Sequence, residues 1–103
     1  MATAVLPDAP TASALYEASS KPETLATLVA PLRAADIAEL INQLTPTRAA
    51  RVLANLPFDV AVDVMNEPEL ERRHDIVQRM NKGVAGALVS AMAPDRRADL
   101  LRE

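Results

Sequence analysis

Two aspartates near the end of the chain have the residue type and spacing best suited to chemistry. Asp95 and Asp99 lie four positions apart in MAPDRRADLLRE, a segment in which Pro94 can open a helix. On a helix this spacing places both carboxylates on one face, where the repulsion between two like charges costs roughly a few tenths of a kcal/mol. Some compensation for the two charges is therefore expected.

Two forms of compensation are open. In the first, the helix face is solvated, with Asp95 stabilised by the helix dipole in the first turn and Asp99 paired with Arg96 or Arg102. In the second, the two carboxylates form half of a site for a hard cation such as Mg²⁺, which takes oxygen ligands and keeps several waters. Such a half-site needs a second surface to complete it. The residues alone favour the solvated face.

The other residues capable of chemistry favour structural roles. His74 is the one histidine and has no nearby titratable partner for acid–base catalysis, so we expect it at the edge of an apolar face. Acids nearly neutralise the basic segment ERRHD (71–75), which predicts a solvated, salt-bridged face rather than an anion patch. Met65, Met80 and Met92 occupy core positions and favour gap filling over a partner groove.

Composition excludes several function classes. The 103 residues carry 14 acids against 11 lysines and arginines, so there is no dense basic face for nucleic acid. The absence of cysteine removes disulfides, thiolate zinc sites and cysteine nucleophiles. No phosphate loop or nucleophile elbow occurs, and we predict that the chain is not an enzyme. Without a signal peptide or an apolar run of bilayer length, we expect no membrane insertion and a cytoplasmic location.

The elements that must position the aspartates are short helices. Half of the residues are apolar and only two are aromatic, and this composition, dominated by Ala, Leu and Val, favours helix over strand. We predict a loose lead over 1–20 with a short helix at 11–19, followed by a helical domain over 21–103. The clearest helical spacing is that of Ile37, Leu40, Ile41 and Leu44.

Prolines bound the predicted helices. Pro22, Pro46 and Pro94 suit first helical positions, with Thr45 as the N-cap before Pro46. Prolines then recur every eleven residues, so we also predict helices from Pro57 and Pro68. The residues predicted to face inward are Leu25, Leu28, Val29, Ala49, Val52, Leu53, Leu56, Val60 or Ala61, Val64, Met65, Leu70, Val77, Met80, Val84, Leu88 and Met92.

An internal repeat appears when Pro46 is aligned with Pro94. LTPTRAARVL then lies over MAPDRRADLL with apolar residues matched at four positions, and the period of 48 residues covers three or four short helices. Units of this kind bury their apolar faces on their neighbours. We therefore predict an all-α fold, a right-angled superhelix of the α-solenoid type rather than a parallel bundle.

The string ADIAELINQLTPTRAARVLANLP (35–57) and the closing MAPDRRADLL carry a family resemblance. Together they resemble the cytosolic N-terminal domain of MgtE-type magnesium transporters, which repeats segments such as ADIAELLEQLPPEERAALLRLLP and closes with MDPDDAADLL. That domain is a helical superhelix similar to domains of the flagellar motor switch protein FliG. The resemblance runs from about Leu25 to the C-terminus and implies the same fold here.

The resemblance also implies a function. It implies a regulatory domain that senses Mg²⁺ and docks on a pair of CBS domains, with acidic side chains sharing Mg²⁺ across the contact to gate the pore. It carries the metal-binding role onto Asp95 and Asp99, and onto Asp63 by an ungapped alignment. It further implies the inner face of the cell membrane as location, the pore domain as a second partner, and a homodimer through the full-length protein. The alternative is a metal-independent, FliG-like interaction scaffold.

The sequence departs from the family pattern in ways that bear on this function. Arg96 and Arg97 stand where an acid-rich helix is common, and their charge lowers the negative potential at a cation site. The proline often found before the ADIAEL helix is missing. The CBS pair and the membrane domain are missing as well, so we expect either an excised piece of a longer protein or a free-standing relative.

Overall fold

The computed structural model describes residues 21–102, and this part of the chain is helical throughout. Its seven helices, with no strand between residues 21 and 102, confirm the predicted all-α class, and none of them is both long and apolar enough to cross a bilayer. The predicted lead over 1–20, with its helix at 11–19, lies outside the described residues. The helices are α1 Pro22–Val29, α2 Ala34–Ile41, α3 Pro46–Asn55, α4 Phe58–Met65, α5 Arg73–Gln78, α6 Lys82–Ala91 and α7 Pro94–Arg102.

Proline and a capping side chain begin several helices where the sequence predicts. Pro22, Pro46 and Pro94 are the first residues of α1, α3 and α7, positions at which a missing N–H leaves no hydrogen bond unmade. The Thr45 hydroxyl accepts a hydrogen bond from the Arg48 backbone N–H at 3.3 Å, which confirms Thr45 as the N-cap of α3. Local sequence therefore sets these helix starts.

Each helix packs mainly on the helix two positions further along the chain. α1 contacts α3, α2 contacts α4, α3 contacts α5, α4 contacts α6 and α5 contacts α7, while α3 and α4 also touch directly. The described chain measures 47 × 23 × 21 Å along its principal axes, so it is drawn out in one direction. This successive packing is that of a superhelix and not of a parallel bundle, as the repeat predicts.

The core follows the predicted apolar faces with few shifts. Leu28 is 46% exposed, and Ala26 is buried on α1 instead. On α4 the inward residue is Ala61, whereas Val60 is half-buried, and on α5 the unpredicted Ile76 is fully buried. All the other residues predicted to face inward are buried or half-buried.

The internal repeat corresponds to a period of 24 residues. α2, α4 and α6 begin 24 residues apart, and α3 begins 24 residues after α1. One period is therefore a pair of helices, and the predicted 48-residue repeat spans four. α5 is the exception, because it begins at Arg73, three residues later than the period requires.

The late start of α5 corrects the prediction of a helix from Pro68. The α4–α5 linker, residues 66–72, is not helical, and Arg72 has left-handed backbone with φ at 57°, a conformation that costs about 1 kcal/mol for a residue with a Cβ. The later start also shifts the phase of the helix. It buries Ile76 and leaves His74 exposed, where a helix from Pro68 would have placed His74 beside the apolar face.

Asn42, the residue that ends α2, holds the α4–α5 linker in place. Its side-chain Nδ2 donates to the Glu69 carbonyl at 2.8 Å, and its Oδ1 accepts from the Glu71 N–H at 2.9 Å. The Arg72 guanidinium reciprocates by donating to the Asn42 and Leu44 carbonyls, each at 3.0 Å. Carbonyls at the end of a helix have no intrahelical donor, so the linker completes the hydrogen bonding of α2.

Arg73 plays the same part for the end of α4. It is 5% exposed and is the one buried charged residue between residues 21 and 102. Its Nε donates to the Met65 carbonyl at 2.9 Å and its Nη2 donates to the Glu67 carbonyl. Burial contradicts the prediction of a solvated face at ERRHD for Arg73, whereas Arg72 is exposed as predicted and donates to helix-end carbonyls.

Replacing Arg73 should destabilise the fold. Arg73→Met removes the donors from two backbone carbonyls in a buried place, and we expect it to lower the free energy of unfolding by about 2–4 kcal/mol. Arg73→Lys keeps the charge but loses the planar fork, so it should recover only part of this loss. Urea unfolding followed by circular dichroism measures both variants. A loss below about 1 kcal/mol for Arg73→Met would contradict the assigned role.

Candidate functional site

Asp95 lies in the first turn of α7, and its side chain is exposed. The positive end of the helix dipole favours a carboxylate at this position, in agreement with the solvated interpretation. The same exposure leaves the carboxylate accessible to a cation or to another protein surface. Geometry at Asp95 is therefore compatible with both alternatives.

Asp99, one turn further along α7, is engaged by two arginines. Its Oδ2 accepts from Arg96 Nη1 at 2.8 Å, and its Oδ1 accepts from Arg102 Nη1 at 3.1 Å. The sequence offers these two arginines as alternative partners, and the structure uses both. The Asp99 and Arg96 side chains are 37% and 29% exposed, whereas Arg102 is 76% exposed, so the Arg96 pair is the better shielded from solvent.

Asp63 is exposed on the last turn of α4, and a hydrogen bond joins that end of α4 to the start of α7. Asn66, which ends α4, accepts through its Oδ1 from the Ala93 N–H at 2.9 Å. Ala93 directly precedes α7, and the contact is partly buried. Asn66 thereby links the end of the helix that carries Asp63 to the start of the helix that carries Asp95 and Asp99.

Charges on both sides of this junction act on Glu67, which lies in the linker just after α4. The pKa of the Glu67 carboxyl is raised above its ordinary value of 4.5, first by a hydrogen bond with the Glu69 side chain, then by desolvation and by the negative charge of Glu69. Asp63 adds to the rise, and the positive charge of Arg96 opposes it. The charges of Asp63, on α4, and of Arg96, on α7, therefore both act on Glu67 in the α4–α5 linker.

The three predicted metal ligands do not form a complete cation site by themselves. Between residues 21 and 102, no group of three or more His, Cys, Asp or Glu side chains is placed to hold a metal ion. Asp63 and Asp95 offer exposed carboxylates of the kind that Mg²⁺ prefers, but both oxygens of Asp99 already accept from arginines. The metal-binding role of Asp63, Asp95 and Asp99 stays a prediction for binding experiments.

The remaining candidates from the sequence have structural positions. Met65, Met80 and Met92 are buried in the core, as the gap-filling interpretation predicts. His74 is exposed on α5. Sequence reasoning missed Asn66 as a positioning residue, although an asparagine also ends α2 exactly one 24-residue period earlier, and that spacing is a usable signal.

An apolar groove also escaped the sequence analysis. It lies between the end of α3, the start of α4 and one face of α6, with a volume of about 300 Å³. Phe58 on its wall is 53% exposed. The small residues Gly83 and Ala87 of α6 leave the space open, and the other lining residues are Leu53, Ala54, Leu56, Ala61, Val84 and Leu88.

Removing the Asn66 side chain should loosen the junction of α4 and α7. Asn66→Ala leaves the partly buried Ala93 N–H without its acceptor, and we expect a loss of about 1–2 kcal/mol in the free energy of unfolding. Asn55→Ala is the matched control, because the Asn55 amide bonds only within its own helix at an exposed site and should change stability by less than about 0.5 kcal/mol. Equal losses in urea unfolding for the two variants would refute a special role for Asn66.

Glu67 should titrate above pH 4.5, and the Glu69 side chain should be the main cause. The raised pKa means that the folded protein binds a proton at Glu67 more tightly than the unfolded chain does. Protonated Glu67 therefore stabilises the fold at pH values below its unfolded pKa, and this contribution is lost as the pH rises through its folded pKa. Glu69→Gln should return the Glu67 pKa toward 4.5 in a carbon-detected NMR titration. Glu71→Gln serves as the control, since Glu71 makes its contact through its backbone N–H. An unmoved Glu67 midpoint in Glu69→Gln would contradict the assigned cause.

Comparison with known proteins adds the family. The model of the MgtE intracellular N domain matches residues 32–103, a range that holds α2 to α7 and all three predicted ligands. No curated protein and no solved structure matches the chain. The matching family is a transporter domain and not an enzyme family, and the match covers well over half of the sequence. The chain therefore belongs to the family of MgtE intracellular N domains, which are domains of magnesium transporters.

Proposed function

We propose that this domain is the Mg²⁺-responsive regulatory part of a magnesium transporter. It docks on CBS domains through Mg²⁺ held between acidic side chains of the two surfaces. High Mg²⁺ favours the docked arrangement and a closed pore, and low Mg²⁺ favours separation. The domain works in the cytoplasm, at the inner face of the membrane that holds the pore domain.

One observation carries this proposal beyond family membership. The end of α4 with Asp63 and the start of α7 with Asp95 are joined by the Asn66–Ala93 hydrogen bond. Both aspartates are exposed. Two helices joined by this hydrogen bond thus each carry an exposed hard oxygen donor, which is the donor chemistry that Mg²⁺ selects.

The incomplete donor set explains why a partner is needed. Mg²⁺ keeps several waters and takes only one or two carboxylates from a surface, so Asp63 and Asp95 offer a weak half-site. A second acidic surface raises the number of carboxylates and, without the ion, repels the first. An ion that binds the docked pair more tightly than the separate domains shifts the equilibrium toward docking.

A second candidate function is a metal-independent scaffold of the FliG type. It is favoured by the engagement of both Asp99 oxygens with arginines, which leaves that carboxylate satisfied without an ion. A scaffold needs only a complementary surface, and its docking is insensitive to Mg²⁺. Whether docking depends on Mg²⁺ therefore distinguishes the two functions.

A backbone amide NMR titration of the chain with Mg²⁺ into the millimolar range tests the first function directly. The control is a monovalent salt at matched ionic strength. Saturable shifts confined to the neighbourhoods of Asp63, Asp95 and Asp99 support the half-site. Shifts equal to those of the salt control, both alone and after addition of a CBS-domain pair, favour the metal-independent scaffold.

Neutralising the two aspartates of α7 should abolish Mg²⁺-dependent docking. We expect Asp95→Asn with Asp99→Asn to fold normally and to lose at least about tenfold in affinity for a CBS-domain pair at millimolar Mg²⁺, since the Asp95 carboxylate leaves the shared site and the charges of Arg96 and Arg102, no longer neutralised by Asp99, repel the ion. Asp59→Asn with Asp75→Asn removes the same charge from the first turns of α4 and α5 and should dock like the wild type. Calorimetry with and without Mg²⁺ measures the affinities. Unchanged docking by the first variant would remove these aspartates from the mechanism.

A further inference from the structure

The Asp99 carboxylate accepts from two arginines of its own helix, and the charge of one of them, Arg96, also acts on Glu67 in the α4–α5 linker. We propose that Arg96 is a tethered cation that occupies the place of Mg²⁺ at Asp99 and thereby raises the Mg²⁺ concentration at which the domain responds. This inference rests on the proposed function, because it concerns the regulation of the same site. Arg96 acts as an internal competitor with a fixed local concentration.

The first support is the geometry of the pair. Arg96 Nη1 lies 2.8 Å from Asp99 Oδ2, a distance typical of a charge-assisted hydrogen bond. Both side chains are less than two fifths exposed. A metal ion at this oxygen would lie beside the guanidinium and be repelled by its positive charge, so binding at Asp99 is favoured when Arg96 moves away.

The second support is that the charge of Arg96 acts beyond α7. It opposes the rise in the pKa of Glu67, in the α4–α5 linker, which Asp63 promotes. A cation held at Asp99 in place of Arg96 would act on Glu67 with the same sign. Arg96 therefore supplies positive charge of the kind that the proposed function assigns to Mg²⁺.

Arg102 does not fill this role. It contacts the other Asp99 oxygen at 3.1 Å, but its side chain is 76% exposed near the end of α7. A long exposed side chain of this kind gains little from its ion pair and gives way readily to water or salt. The competitor that a metal must displace is thus Arg96.

Arg96→Gln should make the domain more sensitive to Mg²⁺. We expect its Mg²⁺ dissociation constant, from NMR titration, to fall roughly three- to tenfold below that of the wild type. Arg97→Gln removes the same charge one residue further along α7, outside the ion pair with Asp99, and should change the constant by less than about twofold. In an Asp99→Asn background, Arg96→Gln should have no larger effect than Arg97→Gln, because the competition is gone.

A direct signal reports the displacement of Arg96. Pairing with Asp99 restricts rotation of the guanidinium, and Mg²⁺ should restore free rotation, visible in the Arg96 side-chain nitrogen spectrum, at the same midpoint as the backbone shifts. Saturable Mg²⁺ binding with Arg96 still paired, or equal affinities for Arg96→Gln and wild type, would overturn the inference and leave the proposed function standing. If Arg96→Gln shows no Mg²⁺ binding at millimolar concentration, with or without a CBS-domain pair, both fall.

Discussion

The exposed carbonyls at the ends of short helices are the constraint on which this fold depends. In a helix of eight residues such as α2 or α4, the four carbonyls without an intrahelical donor are about half of the total. Helices of this length have little stability of their own in water. At the ends of α2 and α4 the chain satisfies such carbonyls with Arg72 and Arg73 from later in the sequence, so these two helix ends are also tertiary contacts.

Two asparagines make the same connection one period apart. Asn42 ends α2 and bonds the backbone of the segment before α5, and Asn66 ends α4 and bonds the backbone just before α7. In both cases the tie joins a helix to the one three further along, in addition to the apolar contact with the helix two further along. The second tie joins the end of the helix that carries Asp63 to the start of the helix that carries Asp95 and Asp99.

The sequence predicts the helical class, most helix starts and most of the core, because proline positions and apolar spacing act locally. It fails at Pro68, where local signals favour a helix and the structure has an irregular linker. There the hydrogen bonds of Asn42, Arg72 and Arg73 with distant backbone outweigh the local preference. Spacing in the sequence does not show which carbonyl a side chain will reach. For the same reason, the sequence analysis did not predict the hydrogen bond that Asn66 makes with the backbone before α7.

The two aspartates of the closing motif have different surroundings in the structure, although the family resemblance does not distinguish them. Alignment treats Asp95 and Asp99 alike, since the motif contains both. The structure separates them, because Asp95 is exposed in the first turn whereas Asp99 is held from both sides by Arg96 and Arg102. Those arginines stand three residues before and after Asp99, at the spacing that brings helix side chains together. The carboxylate pair of the closing motif therefore has one exposed member and one member neutralised by arginines, and Arg96 and Arg102 make this difference.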